Sequence, residues 1–550
     1  MTVLRIVLSL LGFLILGCAA QGNVRIEANN DGNPTDIDCT IFINDEPVFE
    51  NNEDVLLKKI SPVLKKLADN IGFLGWNPSI HKATDLPGGK IIVSSTRKLN
   101  TDISDSRNIY DAALRALNFA VDIGVRKPLL VLGPMASLPA DKTSWVQDHY
   151  VLLNAVLGAL QGLYVPYDLV VAGRANTKYD KLVFYASNNN IGTWVKKYAT
   201  AIEEGRWVAR DLCGADPEVM TPENFVKYMQ NATVFPNPPI FEDITEATFP
   251  LAAAVDRANA DIPRFKGKIM TITHGDATAP TKLYMSGEAL TYDTGGLDIR
   301  ISGAMEGTSR KKCGAAGLIG FIKTAYELDK GQTPPKLHIY AKIPIVRNNI
   351  GSGSFSLDDI IFSKNKKLNR VGFTQAASRL LIAEQLDDLV SKATSDGTKD
   401  PELYTVTTMS EHVAKVWKDF TGIMGNGPTV VGGVREALQE AGEHVSDMGE
   451  ISDLIKEDYD SASGPLETED LRASSPDISE SMTRGHMKPP AYMIRASTLN
   501  DHGLGSANQI RYIHLDVSGS AGRYADRPTG APVAMLTQHY YMKNDQPPKN

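Results

Sequence analysis

The residues best placed for chemistry lie between Met285 and Gly320, in the stretch MSGEALTYDTGGLDIRISGAMEGTSRKKCGAAGLIG. Leu290 to Tyr292 feed a strand that ends at Asp293, and Thr294-Gly295-Gly296 force a sharp turn after it. This leaves a carboxylate at the C-terminal edge of a strand, where the sites of α/β proteins gather. Downstream, Cys313-Gly314-Ala315-Ala316-Gly317 opens a helix whose small residues permit close packing. The remaining candidates are sparse. Ten histidines are scattered with no His-Glu-x-x-His pair and no Cys/His cluster, so helix-borne zinc signatures are absent. No Gly-x-Ser-x-Gly elbow occurs. Gly351-Ser352-Gly353-Ser354 lacks the lysine and spacing of a phosphate loop and reads as a turn, while His412 and His514 read as structural.

The elements that must position this segment form an α/β pattern in two blocks. In the first, the apolar runs Ile91 to Val93, Leu129 to Leu132, Leu169 to Ala172 and Leu182 to Tyr185 read as strands. They alternate with helical patterns at Val55 to Ala68, Tyr110 to Val121 and Val146 to Leu160. An amphipathic helix from about Gly192 to Leu212, closed by Gly214 and Pro217, reads as a connector. In the second block the strand candidates are Lys268 to Thr273, Leu283 to Met285, Leu337 to Ile345 and Ile510 to Val517. Its helices are Ala315 to Leu328, Leu380 to Ala393 and Glu411 to Phe420. The stretch Glu450 to Glu480 sets ten acidic residues against Lys456 and Arg472 and reads as a solvated loop or lid. The expected fold is therefore α/β in two domains. A smaller N-terminal α/β domain covers 21–192 and a connecting helix 193–214. A larger C-terminal α/β domain, a mixed central sheet flanked by helices, covers 215–550.

With 550 residues and 42% hydrophobic content the chain can bury a large core. A net charge of −8 without a basic stripe interleaved with aromatics argues against nucleic acid as a partner. Arg5, the apolar run Ile6 to Gly17 and the small residues Cys18-Ala19-Ala20 read as a cleaved signal over residues 1–20. An uncleaved anchor and a bacterial lipoprotein signal ending at Leu16-Gly17-Cys18 remain as alternatives. The expected location is outside the cell or in the secretory lumen, with no membrane attachment after signal removal. Signal removal leaves Cys39, Cys213 and Cys313, an odd and sparse set that suggests no disulfide framework and an oxidising route tolerated rather than exploited. Asn231-Ala232-Thr233 is the one sequon free of proline and makes Asn231 a glycosylation candidate.

The sequence resembles the leucyl aminopeptidase family, the hexameric two-zinc exopeptidases. The likeness rests on Tyr292-Asp293-Thr294-Gly295-Gly296, the Gly314-Ala315-Ala316 helix start, Arg379-Leu380-Leu381-Ile382-Ala383-Glu384 and His514-Leu515-Asp516-Val517-Ser518-Gly519. Arg210-Asp211-Leu212 with Thr221-Pro222 adds to it, and the likeness runs from roughly residue 193 to 545. What the resemblance implies is a site of one lysine and four carboxylates holding two zinc ions, with a further lysine and an arginine beside the reacting carbonyl.

Carried over position by position, the implied site is degenerate. Glu288 stands where a ligand lysine is expected, in Gly287-Glu288-Ala289 instead of Gly-Lys-Gly. Asp293 is retained, Arg300 replaces the catalytic lysine, and Lys311 falls on a ligand aspartate. In Phe373-Thr374-Gln375-Ala376-Ala377-Ser378-Arg379, Gln375 replaces an aspartate and Ala377 a glutamate, and only Arg379 survives of that motif's charged residues. Zinc wants about four donors at defined distances, and a two-metal site needs bridging carboxylates as well. An ammonium at a ligand position also repels a metal ion by several kcal/mol at an effective dielectric of about 20. Lys311 is therefore expected to pair with Asp293 or Glu288 in the space of the lost zinc ions, with Arg300 and Arg379 as vestigial catalytic groups.

The expected function is that of a pseudoenzyme, a secreted structural or binding hexamer that is not catalytic. The expected assembly is a homo-hexamer or a hetero-oligomer with related chains. The alternative is an active metallo-aminopeptidase with a rearranged site, one metal held by Asp293 and Glu288. A third reading makes the cationic groups a receptor for a peptide or amino-acid carboxylate.

Overall fold

Alternating apolar runs bounded by turn residues become the parallel strands of two sheets, each buried on both faces. The computed structural model describes residues 24–46, 49, 53–71, 76–139, 145–300, 305–474 and 482–548; the signal reading of residues 1–20 lies outside them. The N-terminal sheet has six strands in the order Ile26–Asn29, Leu182–Tyr185, Pro128–Leu132, Cys39–Asn44, Lys90–Ser95 and Ser79–Lys82. All neighbours are parallel except the last, antiparallel edge strand. The C-terminal sheet has nine strands and mixed direction. Its path runs Gly449–Ile451, Thr421–Gly425, Arg511–Asp516, Glu402–Thr407, Thr281–Gly287, Leu337–Asn348, Lys268–His274 and Ile240–Asp243. Ala289–Asp293 lies off this path, parallel to the far end of Leu337–Asn348.

Alternation along the strands sorts side chains into separate cores. Ile41 and Ile43 pack on one face of the N-terminal sheet and Phe42 on the other. The first of these cores continues through the connecting helix into the C-terminal domain, where it takes in Ile319 and Ile339. The connecting helix spans Asn189–Gly214, starting earlier than its apolar periodicity suggests because Asn188 Oδ1 accepts the Asn190 and Ile191 amides and caps it. It crosses the helix Cys313–Asp329 in close backbone contact at Gly205 and Gly320, with the Thr324 hydroxyl also against Gly205. A Cβ on Gly205 would lie 2.3 Å from the Gly320 carbonyl oxygen, and one on Gly320 would lie 2.6 Å from that of Gly205.

Three expectations need correction. Leu169 to Ala172 is not a strand. Pro166 precedes a short helix, Tyr167–Val171, and Pro fixes a backbone angle suited to helix entry. Glu450 to Glu480 is not a wholly solvated loop: in its described part it contributes the strands Gly449–Ile451 and Leu471–Arg472 and the helix Lys456–Asp460. Its Asp458 and Glu469 are buried because Arg484 and Arg370 pair with them at 2.8 and 2.9 Å. Residues 475–481 of that stretch lie outside the described residues. The helix at Glu411 also ends early, at Trp417.

The cysteine reading changes most. Cys213 and Cys313, 100 residues apart, form a disulfide, and Cys39 stays free and buried. No local spacing could announce the pair, which arises only because the end of the connecting helix meets the start of the helix that carries the small residues. Among the described residues one helical stretch, Asp148–Val171, is long and apolar enough to cross a membrane, but 83% of its apolar window is buried inside the protein, as in a core helix.

A disulfide closing so long a loop restricts the unfolded chain. Replacing Cys213 and Cys313 by serine is expected to lower stability by about 2–5 kcal/mol, read from urea midpoints without reductant. An unchanged midpoint would show that the pair contributes nothing.

Candidate functional site

The site forms where three segments meet at one end of the C-terminal sheet. The strand Ala289–Asp293 runs beside Leu337–Asn348 in a register that sets Asp293 opposite Asn348. Immediately after it, Gly295 and Gly296 take positive φ of 94° and 67°. A side chain on Gly295 would bring its Cβ within 2.5 Å of the Asp298 carbonyl oxygen, so the turn tolerates only glycine there. Thr294 ties the turn back to the neighbouring strand, its amide and hydroxyl both donating to the Asn348 carbonyl at 3.1 and 2.9 Å. The second segment is the 3-10 turn Thr308–Lys312, which leads into the helix Cys313–Asp329. The third is the start of the helix Ala377–Ser395.

Asp293 is fully buried and every contact it makes favours its ionised form. Lys311 Nζ lies 3.0 Å and Arg300 Nη2 2.9 Å from Oδ2. Asn348 Nδ2 donates to Oδ1 at 2.7 Å and the Gly295 amide at 3.0 Å. Burial alone would raise this carboxyl, but Lys311 and Arg300, helped by Asn348, hold it below the ordinary value. The expected Lys311 pairing is thus with Asp293 and not Glu288.

Glu288 sits in the break between Thr281–Gly287 and Ala289–Asp293, with its amide donating to the Val406 carbonyl at 3.0 Å. Its own carbonyl accepts the Ala315 amide at 3.0 Å, which satisfies one of the free donors at the helix start. Its carboxyl group meets neutral donors: the Ser378 hydroxyl on Oε1, and the Thr408 amide and hydroxyl on Oε2 at 2.6 and 2.8 Å. Burial pushes Glu288 up, against the opposing effects of Lys311, Ser378 and Thr408.

The other expected positions do not converge on the carboxylates. Gln375 turns its amide to the Asp298 carbonyl at 3.1 Å, and Ala377 is buried in the apolar core beneath the sheet. Arg379, the retained charge of its motif, donates to the Ala473 carbonyl at 3.0 Å, and burial lowers it to about 10. His514 lies inside a strand, with Nδ1 2.8 Å from the Thr405 hydroxyl, and burial draws it down to about 3. Asn231 is half-buried on the turn after the helix Pro222–Met229, and Thr233 of its sequon is exposed.

Sequence reasoning missed four residues that shape this site: Asn348, Ser378, Thr408 and Asp516. Ser378 and Asp516 lie within the quoted motifs, but nothing in their types marked them. Asn348 and Thr408 come from distant segments and carried no signal. Asp516 accepts the Ser410 amide at 3.0 Å, and burial raises it to about 7.

As a cradle for a pair of metal ions this arrangement does not fit. Asp293 presents Oδ2 to two cations, Glu288 is engaged by three neutral donors, and the remaining positions are an amide and a methyl group. No group of three or more His, Cys, Asp or Glu able to hold a metal occurs among the described residues.

Removing the Lys311 ammonium leaves part of a buried charge unmatched. Lys311→Ala is expected to destabilise the fold by about 3–5 kcal/mol at neutral pH, measured by chemical denaturation. A loss below about 1 kcal/mol, typical of an exposed lysine, would show that the pair is unimportant. Because Asp293 is held below its ordinary range, this contribution is complete at neutral pH. It fades as acid protonates the carboxyl.

Residues 207–537, more than half of the chain, match the model of the cytosol aminopeptidase family, catalytic domain. "Putative aminopeptidase W07G4.4" of Caenorhabditis elegans is 29% identical over 457 residues, 82% of this chain and 84% of that protein. "Probable cytosol aminopeptidase" of Persephonella marina is 24% identical over 277 residues, and the match spans only 50% of that protein and 48% of this chain. Among solved structures, a mutant of tomato leucine aminopeptidase superposes with a TM-score of 0.72, covering 94% of this chain and 96% of that one at 16% identity, a likeness of fold. The chain belongs to the cytosol aminopeptidase family.

Proposed function

We propose that this member of the family is catalytically inactive and acts through assembly or binding. The observation that carries the reading is the Asp293 carboxylate bound between Lys311 and Arg300 at 3.0 and 2.9 Å. A metal ion brought there would meet two fixed positive charges, and its coordination sphere would lack most of its donors. Without a metal-activated water or a Lewis acid at the carbonyl, the two routes by which metal ions promote amide hydrolysis are closed. The proposed assembly is a homo-hexamer or a hetero-oligomer with related chains.

Metal analysis of the purified protein together with leucyl-anilide hydrolysis in added Zn²⁺ or Mn²⁺ tests this reading. Expected are metal well below one ion per chain and no turnover above background. Two bound ions with hydrolysis would overturn it in favour of a rearranged active site. In the reverse direction, Glu288→Lys, Lys311→Asp, Gln375→Asp and Ala377→Glu combined are expected to restore metal binding. Each alone should fail, since it leaves the sphere incomplete, and recovery with one change would show that the positions are wrongly assigned.

We also propose that the chain is made for the secretory route and is not membrane-bound once its signal is removed. The apolar leader supports this, and so does the Cys213–Cys313 pair, since such bonds persist in oxidising compartments. Expressed in a eukaryotic secretory host, the protein is expected in the medium with a glycan on Asn231, seen as a mobility shift on glycosidase treatment that Asn231→Gln abolishes. Retention in the cytosol would refute the secretory reading; secretion without the shift would refute glycosylation alone.

A further inference from the structure

Away from the site, the seam between the two domains gathers titratable rings. His149 and Tyr150 open the helix Asp148–Leu163 of the N-terminal domain, and His444 ends the helix Val434–His444 of the C-terminal one. Tyr150 lies between the two imidazoles, tilted 42° to His149 and 55° to His444, with ring centroids 4.3 and 4.5 Å away. Trp194 of the connecting helix closes one side with its ring edge-on to His149 at 4.8 Å. The terminal carbonyl of His444 is satisfied from the other domain by Asn154 Nδ2 at 2.8 Å, and Asn154 Oδ1 accepts the Ser446 hydroxyl at 2.8 Å. His539, on the turn Gln538–Met542, lies apart from these rings but on the same helix pair, bonding the Ala437 backbone of the helix that His444 ends, with its ring edge-on to Tyr540 at 4.6 Å.

These rings are poorly equipped to carry charge. His149 and His444 are 7% and 8% exposed. His149 Nε2 and His539 Nδ1 are sealed from solvent, with the Gln546 side chain beside His149 and the Ala437 backbone beside His539. His444 already commits Nδ1 to the Glu440 carbonyl at 2.7 Å. Asp148 and the Gln546 amide face His149, Glu440 faces His444, and the Lys543 ammonium faces both His444 and His539. Asp545, the nearby carboxylate of the C-terminal segment, is already engaged by Lys197 and the Tyr198 hydroxyl. A cavity of about 290 Å³ bordered by Tyr150, Glu440, His444 and Lys543 lies between the helices. His444 borders that cavity, whereas His149 and His539 do not, so a charge on either of those two rings gains water only when the surrounding segments part.

We propose that His149 and His444 form an acid-sensitive latch between the domains, with His539 seating the helix that carries His444, closed while the rings are neutral and loosened when they take up protons. Burial lowers all three below the ordinary imidazole range, His539 to about 4. The unfolded or opened chain therefore binds protons first as pH falls. The stability this neutrality contributes is full above the ordinary imidazole value and is lost as acidity approaches the folded values. The Lys543 ammonium adds repulsion to a new charge on His444 or His539.

Hydrogen exchange of the full-length protein at pH 7.5 and 5.0, corrected for intrinsic rates, tests the latch. Amides of Tyr150 to Leu157 and Ala437 to His444 are expected to lose about tenfold in protection at the lower pH, while those of Leu337 to Ile345 keep theirs. His149→Phe with His444→Phe, which preserves the ring stack but removes its titration, is expected to cut that loss below about threefold. An equal loss in this variant, or no loss in the wild type, would overturn the proposal. Should the double variant fail to fold, His539→Gln must diminish the loss by itself, and an undiminished loss there would equally overturn the latch.

Discussion

A carboxylate with no atom exposed to water stays ionised only where opposite charge or convergent donors replace its hydration. Asp293 meets that condition through Lys311, Arg300, Asn348 and the Gly295 amide, and these four come from three segments of the chain, Gly295 and Arg300 sharing one turn. The turn geometry, the strand register and the placement of the 3-10 turn before the helix Cys313–Asp329 all serve to bring them to one point. The cluster is also self-sufficient in charge, which separates it from a site built to receive dications.

The second carboxylate follows the other available solution. Glu288 is surrounded by hydroxyls and an amide, and burial shifts it towards its neutral form. Two acids on either side of one short strand are thus handled differently, one by ion pairing and one by neutral hydrogen bonds. Asp516 nearby is raised in the same way as Glu288. The region therefore contains acidic side chains without concentrating the negative charge that a pair of metal ions requires.

Much of the frame was legible in the sequence because it is local. The strand ending at Asp293, the double-glycine turn, the small-residue helix start and the connecting helix each carry their pattern within about twenty residues, and the charge exchange at position 311 already pointed to an ion pair. What escaped reading is set by distance along the chain. The disulfide joins residues 100 apart. Asp458 and Glu469 looked like solvated acids until Arg484 and Arg370 were brought to them. Leu169 to Ala172 was misread because four apolar residues fit either period, and only the preceding proline favours a helix. Arg379, carried over by motif as a vestigial catalytic group, donates to the Ala473 carbonyl, a partner 94 residues away that its motif could not announce.

At the Gly205–Gly320 crossing two helices touch backbone to backbone, and one continuous core runs from sheet to sheet through the same contact. Such a joint has little torsional play: twisting either half would drive carbonyl oxygens into main-chain atoms. Stress applied to one half should therefore pass to the other with small loss at this crossing, leaving compliance to peripheral loops and to the ring cluster on the far side of the seam.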